Sequence, residues 1–373
     1  MAVTLSRKDL EDLMCGAEIL GCGGGGTVRN SSKLLDEMTR SPKMAGVEEV
    51  PEERLVFIAG NVGGGVSKST SKRLEHYTKD SEKNSSTASL LRATELLSRE
   101  VDQDPFGFIP TEIGAGNMML PILISALADK YVIDGDCCGR AKPEISISTT
   151  AIAGVRVTPM CLVSPFGDEI VIHSTVDDQR AEDLARTFAA ASNGSVACAR
   201  APMNGDDLRG AAIPGSIISS IELGRSVRLA KQRGKDVVDS IAEKSKSKYI
   251  FEGVIKSWAR AESGAFMKGR ILLHGAGRWK GHNLRVDYKN EYLVSFLDGA
   301  PYVTCPDLIM LLDRETGAPF SNWGNVHDFE GRKVVVLGRS AHPKWLSERG
   351  LEIFSPKHFG YRFSYKPLSG VVR

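Results

Sequence analysis

Residues 54–65, Arg-Leu-Val-Phe-Ile-Ala-Gly-Asn-Val-Gly-Gly-Gly, join a short apolar run directly to a cluster of glycines. The apolar run over 54–59 predicts a strand buried on both faces. The flanking sequence predicts helices over 5–20 (capped by Ser6), from Asn30 or Ser31 to Met38, over 87–100 and over 116–129, and strands over 106–110 and 131–133. Strands that alternate with helices predict right-handed crossovers and a mostly parallel sheet, and therefore an α/β N-terminal domain.

The pattern changes after Pro143. Two-residue alternation over 145–148 and 169–173 predicts half-exposed antiparallel strands. Helices follow over 177–191, from Pro214 to about Gly234, and from Asp236, and short strands dominate from Tyr249 onward. We therefore predict a β-rich α+β C-terminal domain over 166–373, after an N-terminal domain over 1–165 with a boundary near Ser164-Pro165.

The composition is that of an ordinary globular protein of 373 residues, with a net charge of +2 and seven scattered cysteines. The small charge argues against a nucleic-acid or membrane-surface partner. The longest apolar stretch, 118–128, is far shorter than the about 20 residues that a membrane span needs. Without a C-x-x-C pair or a signal core, we expect reduced thiols and a cytoplasmic location.

Two glycine clusters are candidate binding loops. Gly21-Cys-Gly-Gly-Gly-Gly26 precedes a predicted helix, so the N–H groups of Gly23, Gly24, Gly25 and Gly26 are candidates for binding an anionic substrate group. Gly60–Gly65 follows a strand, where ligands bind in open α/β sheets. Neither cluster has the lysine of a nucleotide-binding P-loop, so no nucleotide is expected. The alternative for both is tight turns and close backbone packing.

Polar residues follow two further predicted strands. Glu112 and Asn117 come after the strand over 106–110, and Glu112 is a candidate base or amide-binding carboxylate, or alternatively a helix-cap partner. The run Asp134-Gly-Asp-Cys-Cys-Gly-Arg-Ala-Lys-Pro-Glu144 follows the next strand. Neighbouring carboxylates shift one another's pKa, which suits acid and base roles.

From that run we predict Asp134 or Asp136 as the catalytic base, with Glu112 as a third catalytic candidate. Arg140 suits a bidentate carboxylate contact, and Glu144 is a further binding candidate. Asp136 and Cys138 are weak candidates for a divalent metal. The alternative is a charged turn held by its own salt bridges.

Two of the thiols lie in these segments. Cys22 lies among backbone N–H groups, and Cys138 lies beside Arg140 and Lys142. Both settings favour the thiolate, so we expect Cys22 and then Cys138 to react faster than Cys161, Cys198 and Cys305.

Six motifs in this order resemble the S-methyl-thiohydantoin desulfurase family: Leu20-Gly-Cys-Gly-Gly-Gly-Gly26, Glu112-Ile-Gly-x-x-Asn117, Asp134-x-Asp-x-x-Gly-Arg140-Ala-x-Pro-Glu144, Ile213-Pro-Gly215, Asn290-Glu291 and Pro306-Asp-Leu-Ile309. The resemblance covers nearly the whole chain. It implies two domains that meet near residue 165 and the hydrolysis of an S-methylated thiohydantoin to a hydantoin and methanethiol. Family members often accompany hydantoinase-type and oxoprolinase-type proteins, which makes such a protein a candidate partner.

The sequence thus predicts a hydrolase of a small cyclic amide or amidine, with a small-molecule substrate and a homo-oligomeric assembly. Two other classes stay open. One is a non-catalytic ligand-binding subunit or regulator beside a hydantoinase-type or oxoprolinase-type enzyme, and activity of the isolated chain would separate it from the hydrolase. The other is a nucleotide-dependent enzyme, against which the missing P-loop lysine argues.

Overall fold

The computed structural model describes residues 3–63, 66, 68–78, 86–263, 266–322 and 326–371. The helices in these ranges are α1 Arg7–Leu20, α2 Val28–Ser31, α3 Lys68–Thr78, α4 Ser86–Glu100, α5 Ala115–Leu127, α6 Thr149–Ile152, α7 Asp178–Ala191, α8 Gly205–Ala211, α9 Ser216–Gln232, α10 Val237–Ser245, α11 Glu348–Ile353 and α12 Leu368–Val371. The strands are β1 Val3–Thr4, β2 Lys43–Gly46, β3 Val56–Gly63, β4 Gly107–Ile109, β5 Tyr131–Asp136, β6 Met160–Val163, β7 Glu169–Ile172, β8 Ser195–Met203, β9 Ile213–Pro214, β10 Lys248–Ser263, β11 Phe266–Gly275, β12 Asn283–Lys289, β13 Glu291–Leu297, β14 Ala300–Thr304, β15 Leu308–Asp313 and β16 Lys333–Arg339.

The first sheet has the order β1-β2-β5-β4-β3-β8-β6-β7, and β9 pairs with β5. Its central strands β2, β5, β4 and β3 are parallel, and the flanking strands are antiparallel. This arrangement confirms the predicted α/β domain. Because the central strands are parallel, their carboxyl ends meet at one edge of the sheet.

The second sheet has the order β14-β13-β12-β11-β10-β16-β15, and every described pair in it is antiparallel. Buried side chains alternate along β12, where Leu284, Val286 and Tyr288 are buried, whereas β13 and β15 are buried on almost every residue. This curled sheet confirms the predicted β-rich C-terminal domain. The boundary at residue 165 stays a prediction, and β7 and β8 of the first sheet lie beyond it.

One predicted strand is wrong. Residues 145–148 alternate in polarity but form bends rather than a strand. Ser148 instead caps the short helix α6, since its hydroxyl accepts from the N–H of Thr150 at 3.3 Å. The alternation therefore reflects a connecting segment that buries Ile145 and Ile147 and then begins a helix.

Helix α1 begins as its sequence predicts and packs against α9. Ser6 and Asp9 form a capping box. The two helices approach so closely that a Cβ at Gly16 would lie 2.0 Å from the carbonyl oxygen of Ser220. At the same crossing Asp12 accepts two hydrogen bonds from Arg228, at 2.9 and 2.8 Å.

Arg140 ties the two sheets together. It follows β5, is 1% exposed, and donates to the carbonyl oxygens of Tyr292 at 2.5 Å and Asp307 at 2.6 Å. Both carbonyls belong to the second sheet or its connections. All three described hydrogen bonds of this guanidinium go to backbone, the third to Ala141 at 3.0 Å.

In the described part of the chain, no helix combines the length and the apolar character needed to cross a membrane.

We predict that Arg140→Met destabilises the fold by about 3–5 kcal/mol, because it leaves two buried carbonyl groups without donors. Urea denaturation followed by circular dichroism measures this. The matched control is Arg349→Met, which should change stability by less than about 0.5 kcal/mol, because among the described residues the exposed guanidinium of Arg349 pairs with Glu352 alone, one turn away. If Arg140→Met were as stable as the wild-type protein, Arg140 would not be the residue that ties the two sheets together.

Candidate active site

A cavity of about 530 Å³ lies at the carboxyl ends of the parallel strands. Its walls come from the end of β3, from the segments after β4 and β5, and from β8. The β10–β11 hairpin and the start of β13, from the second sheet, complete the lining. The cavity is therefore built by both domains, and its volume suits a small molecule.

Glu112 is a buried carboxylate in the wall of this cavity. One oxygen accepts from the side-chain amide of Asn117, and the other accepts from the N–H of Lys142 at 2.9 Å. Burial raises the pKa of Glu112 to about 7, against the opposing positive charges of Lys142 and Arg200. A carboxyl group with this pKa exchanges a proton readily near neutral pH.

Two buried cations share the cavity wall with Glu112. Lys142 donates from Nζ to the carbonyl oxygens of Glu144 at 3.1 Å and Ile145 at 3.5 Å. Arg200, which is 5% exposed, donates to the Thr111 hydroxyl at 2.8 Å, and it forms no ion pair among the described residues. Buried cations without carboxylate partners give the cavity an affinity for negative charge.

Glu144 lines the cavity but is fully engaged by other side chains. It pairs with Lys289 through one oxygen and with His358 Nε2 at 2.8 Å through the other. Burial opposes ionisation, but these two hydrogen bonds outweigh it and lower the pKa of Glu144 to about 2. Glu144 is therefore an ionised carboxylate whose negative charge is already balanced by Lys289 and His358.

The first glycine loop lies between the domains. Gly25 and Gly26 line the cavity, whereas Gly23 and Gly24 face Tyr292 and Glu291 of the second sheet. The Gly25 carbonyl accepts from the N–H of Gly116 at 2.9 Å, at the start of α5. In the second cluster, Gly60 and Gly63 line the cavity, and Gly64 and Gly65 lie outside the described residues.

Asp134 and Asp136 do not line the cavity. Asp134 accepts from the N–H groups of Ile217 and Ile218 at 2.9 and 3.1 Å, and so caps α9. Asp136 is fully buried and accepts from the hydroxyl of Ser216 and from two N–H groups of its own turn, those of residues 138 and 139. Burial raises the pKa of Asp136 to about 6, but its oxygens already have donors.

The remaining candidates from the run after β5 also lie in the interior. The Arg140 guanidinium donates its hydrogen bonds to the backbone carbonyl oxygens described above. Cys138 is buried, and Trp345 donates to its carbonyl oxygen at 2.7 Å. Among the described residues, no three His, Cys, Asp or Glu side chains cluster as a metal site would require. Asp136 and Cys138 therefore have no third ligand of these types beside them in the described part of the chain.

The thiol expectation is wrong on accessibility. Cys22 and Cys138 are both buried, as are Cys161, Cys198 and Cys305. Burial raises the pKa of Cys22 and raises that of Cys138 further, because the interior disfavours the thiolate more than nearby cations favour it. The carbonyl of Cys22 accepts from the N–H of Tyr292 at 2.8 Å, and residues 21–24 of the loop are buried with it.

Sequence reasoning missed Lys142, Arg200 and Glu291 as site residues. Lys142 stands in the analysed run but received no role. Arg200 lies on β8, a strand that the sequence analysis did not predict. Glu291 begins the apolar strand β13, and the signal that could have identified it is the Asn290-Glu291 motif of the family resemblance, to which no role was given.

The chain thus belongs to a class of two-domain proteins that enclose a charged cavity between an α/β sheet and a curled antiparallel sheet. Family models match nearly all of it: residues 8–174 match the S-Me-THD-like N-terminal domain, and residues 176–368 match the S-Me-THD-like C-terminal domain. The protein belongs to the S-Me-THD-like family, and this confirms the resemblance found in the sequence. No curated protein matches the chain.

The fold is also that of a solved structure. The X-ray crystal structure of a protein from Chromobacterium violaceum matches with a TM-score of 0.77 and 23% sequence identity. The match covers 98% of this chain and 100% of the other. At this identity the similarity establishes the shared fold.

We predict that limiting iodoacetamide labels Cys15 before the other cysteines in the native protein. All seven cysteines lie among the described residues, and Cys15 is the one that is partly exposed. Burial raises its pKa to about 11, so labelling should be slow. Peptide mass spectrometry identifies the site, and Cys15→Ser should abolish the early adduct. Early labelling of Cys22 would contradict the packed loop.

We predict that Glu112→Gln stabilises the fold at pH 8 and that this gain shrinks as the pH falls to 5. The folded pKa of about 7 exceeds the ordinary 4.5, so stability from the bound proton is lost as the pH rises through this interval. Glutamine is neutral at every pH in this interval, so its burial carries no cost of losing a proton. Its amide can keep both hydrogen bonds if the side-chain amide of Asn117 flips.

The difference in unfolding free energy should grow by about 2–3 kcal/mol between pH 5 and pH 8. Urea melts of both proteins at each pH measure it. Asp136 is present in both proteins, so its own titration largely cancels. A difference that stays constant with pH would show that folding leaves the pKa of Glu112 unshifted.

Proposed function

We propose that the protein is a hydrolase of a small cyclic amide or amidine, such as an S-methylated thiohydantoin, and that it releases a thiol and a hydantoin. The observation that carries the proposal is the buried Glu112 carboxylate in a cavity of about 530 Å³ between the domains. Membership of the S-Me-THD-like family supports the choice of substrate.

In the proposed reaction, water attacks the ring carbon that lies between two nitrogens. Glu112 accepts a proton from this water, and Asn117 and Lys142 hold the carboxylate in place. The base role therefore passes from Asp134 and Asp136, which face helix α9 and their own turn, to Glu112, which faces the cavity.

Lys142 and Arg200 supply positive charge beside the reacting ring. Both are buried, so their charge acts through a medium that screens it weakly. They stabilise negative charge that builds up during attack, and Arg200 has donors left for an anionic substituent of the ring. This is the role that the sequence analysis gave to Arg140 and to the glycine loop.

The cellular setting is part of the proposal. All seven cysteines are free, as is usual in a reducing compartment, and we place the protein in the cytoplasm. The partner proposed for this site is the small-molecule substrate itself.

We predict that purified wild-type protein releases methanethiol from an S-methylated thiohydantoin and that Glu112→Gln lowers kcat by about 10²–10⁴-fold. A thiol-specific chromogenic reagent follows the product continuously. Wild-type kcat/KM should fall as the pH drops through about 7, because protonated Glu112 cannot accept a proton.

The control variant is Asp134→Asn, which keeps an oxygen to cap α9 and should retain turnover within a few-fold. Full activity of Glu112→Gln together with loss of activity in Asp134→Asn would return the base role to Asp134. Binding of the ring without any turnover by wild-type protein would favour a ligand-binding subunit.

A further inference from the structure

Glu291 places a second carboxyl group in the wall of the cavity that Glu112 also lines. It is 3% exposed and lines the cavity from the start of β13. Its Oε2 atom is buried and has no hydrogen-bond partner among the described residues. The reaction outlined above gives this group no role.

The backbone on both sides of Glu291 is fixed by hydrogen bonds. Asn290 donates its N–H to the carbonyl of Met267 at 2.7 Å and accepts from the Met267 N–H at 2.9 Å through its side chain. Tyr292 donates its N–H to the carbonyl of Cys22 at 2.8 Å. Since a Cβ at Gly24 would lie 2.0 Å from Oε1, the glycine loop closes the space on that side. The carboxyl group is therefore held between the glycine loop and the cavity that Glu291 lines.

An ionised carboxylate is poorly stabilised at this position. Burial without a donor to Oε2 disfavours the charge, and so does the negative charge of Glu112. Three cations oppose this: Arg140, Arg186 and Lys142.

None of these cations donates to Glu291. Arg140 and Lys142 donate to carbonyl oxygens, and Arg186 donates to Glu182 at 2.7 Å and to the carbonyls of Gly63 and Pro143. Burial and Glu112 therefore prevail and raise the pKa of Glu291 well above its ordinary range.

We propose that Glu291 is a neutral carboxylic acid that donates a proton to the substrate ring, so that the substrate class is a ring with a C=N nitrogen acceptor. This rests on the proposed hydrolase function. S-methylation of a thiohydantoin removes the hydrogen from one ring nitrogen and leaves a lone pair there. The unmethylated ring carries N–H groups at both nitrogens, and at Glu291 two donors would then face each other.

With Glu112 and Glu291, every proton in the proposed reaction has both a donor and an acceptor. As water attacks, its oxygen bonds to the ring carbon, one of its protons passes to Glu112, and Glu291 protonates the ring nitrogen of the C=N bond. The tetrahedral carbon then carries OH, S-methyl and two nitrogens. The C–S bond breaks, the sulfur takes the proton from Glu112, and the hydroxyl proton returns to Glu291 as the carbonyl forms. Methanethiol and hydantoin leave, and both glutamates regain their starting states.

The test is Glu291→Gln, assayed for methanethiol release beside wild-type protein. Glutamine can donate an N–H to the same acceptor but cannot transfer the proton. We expect kcat to fall about 10²-fold or more while KM changes by less than about three-fold. The control is Glu315→Gln, an exposed site paired with Lys333, which should match wild-type kcat and KM. Unchanged kcat in Glu291→Gln, or a rise in KM alone, would overturn the proposal.

Infrared difference spectroscopy provides a readout that needs no turnover. The spectrum of wild-type protein minus that of Glu291→Gln at pH 7 should show the carbonyl stretch of a protonated carboxylic acid. Carboxylate bands in its place would overturn the proposal whether or not the enzyme is active. The protonated band in a protein that releases no methanethiol would support the neutral Glu291 and reject the hydrolase function.

Discussion

The first glycine loop packs closely between the two sheets, and this packing brings the residues of the site together. A Cβ at Gly24 would lie 2.0 Å from the Glu291 carboxyl, and one at Gly25 would lie 2.8 Å from the Cα of Gly114. A side chain at Gly24 would displace the Glu291 carboxyl group, and one at Gly25 would collide with the backbone of the segment after β4. Because Glu112 follows a strand of one sheet and Glu291 begins a strand of the other, the loop determines that both carboxyl groups reach one cavity.

Three glutamates share this cavity, and their hydrogen-bond partners account for their different protonation. Glu144 has two basic partners, Lys289 and His358, and its pKa falls to about 2 despite burial. Among the described residues Glu112 has an amide and a backbone N–H as its donors, and burial raises its pKa to about 7. Glu291 has no donor at Oε2 among the described residues, and burial raises its pKa well above its ordinary range. A similar interior thus holds an ionised group, a titrating group and a neutral group, which is the separation that acid–base chemistry requires.

Local signals in the sequence were enough for most of the fold. The Ser6–Asp9 capping box marks the start of α1, and the apolar run before Gly60 marks β3. Strand β8 escaped prediction because its small residues and the central Arg200 lack the β-branched pattern of a strand. The site was only partly predictable. Glu112 and Asn117 were found because they follow a strand, but the sequence does not show that Asp134 faces the start of α9, more than eighty residues later.

Asp134 and Asp136 still bear on the chemistry, through a chain of packed elements. They bind the start of α9, whose crossing with α1 has no room for a side chain at Gly16. Helix α1 leads directly into the glycine loop that faces Glu291. A carboxylate that holds a helix end needs a charge and fixed donors, whereas a carboxylate that moves protons needs a pKa near the pH at which it works. Two acidic residues beside a strand end satisfy the first requirement here, because their oxygens accept from the start of α9 and from their own turn, and this is why we propose Glu112 as the base in their place.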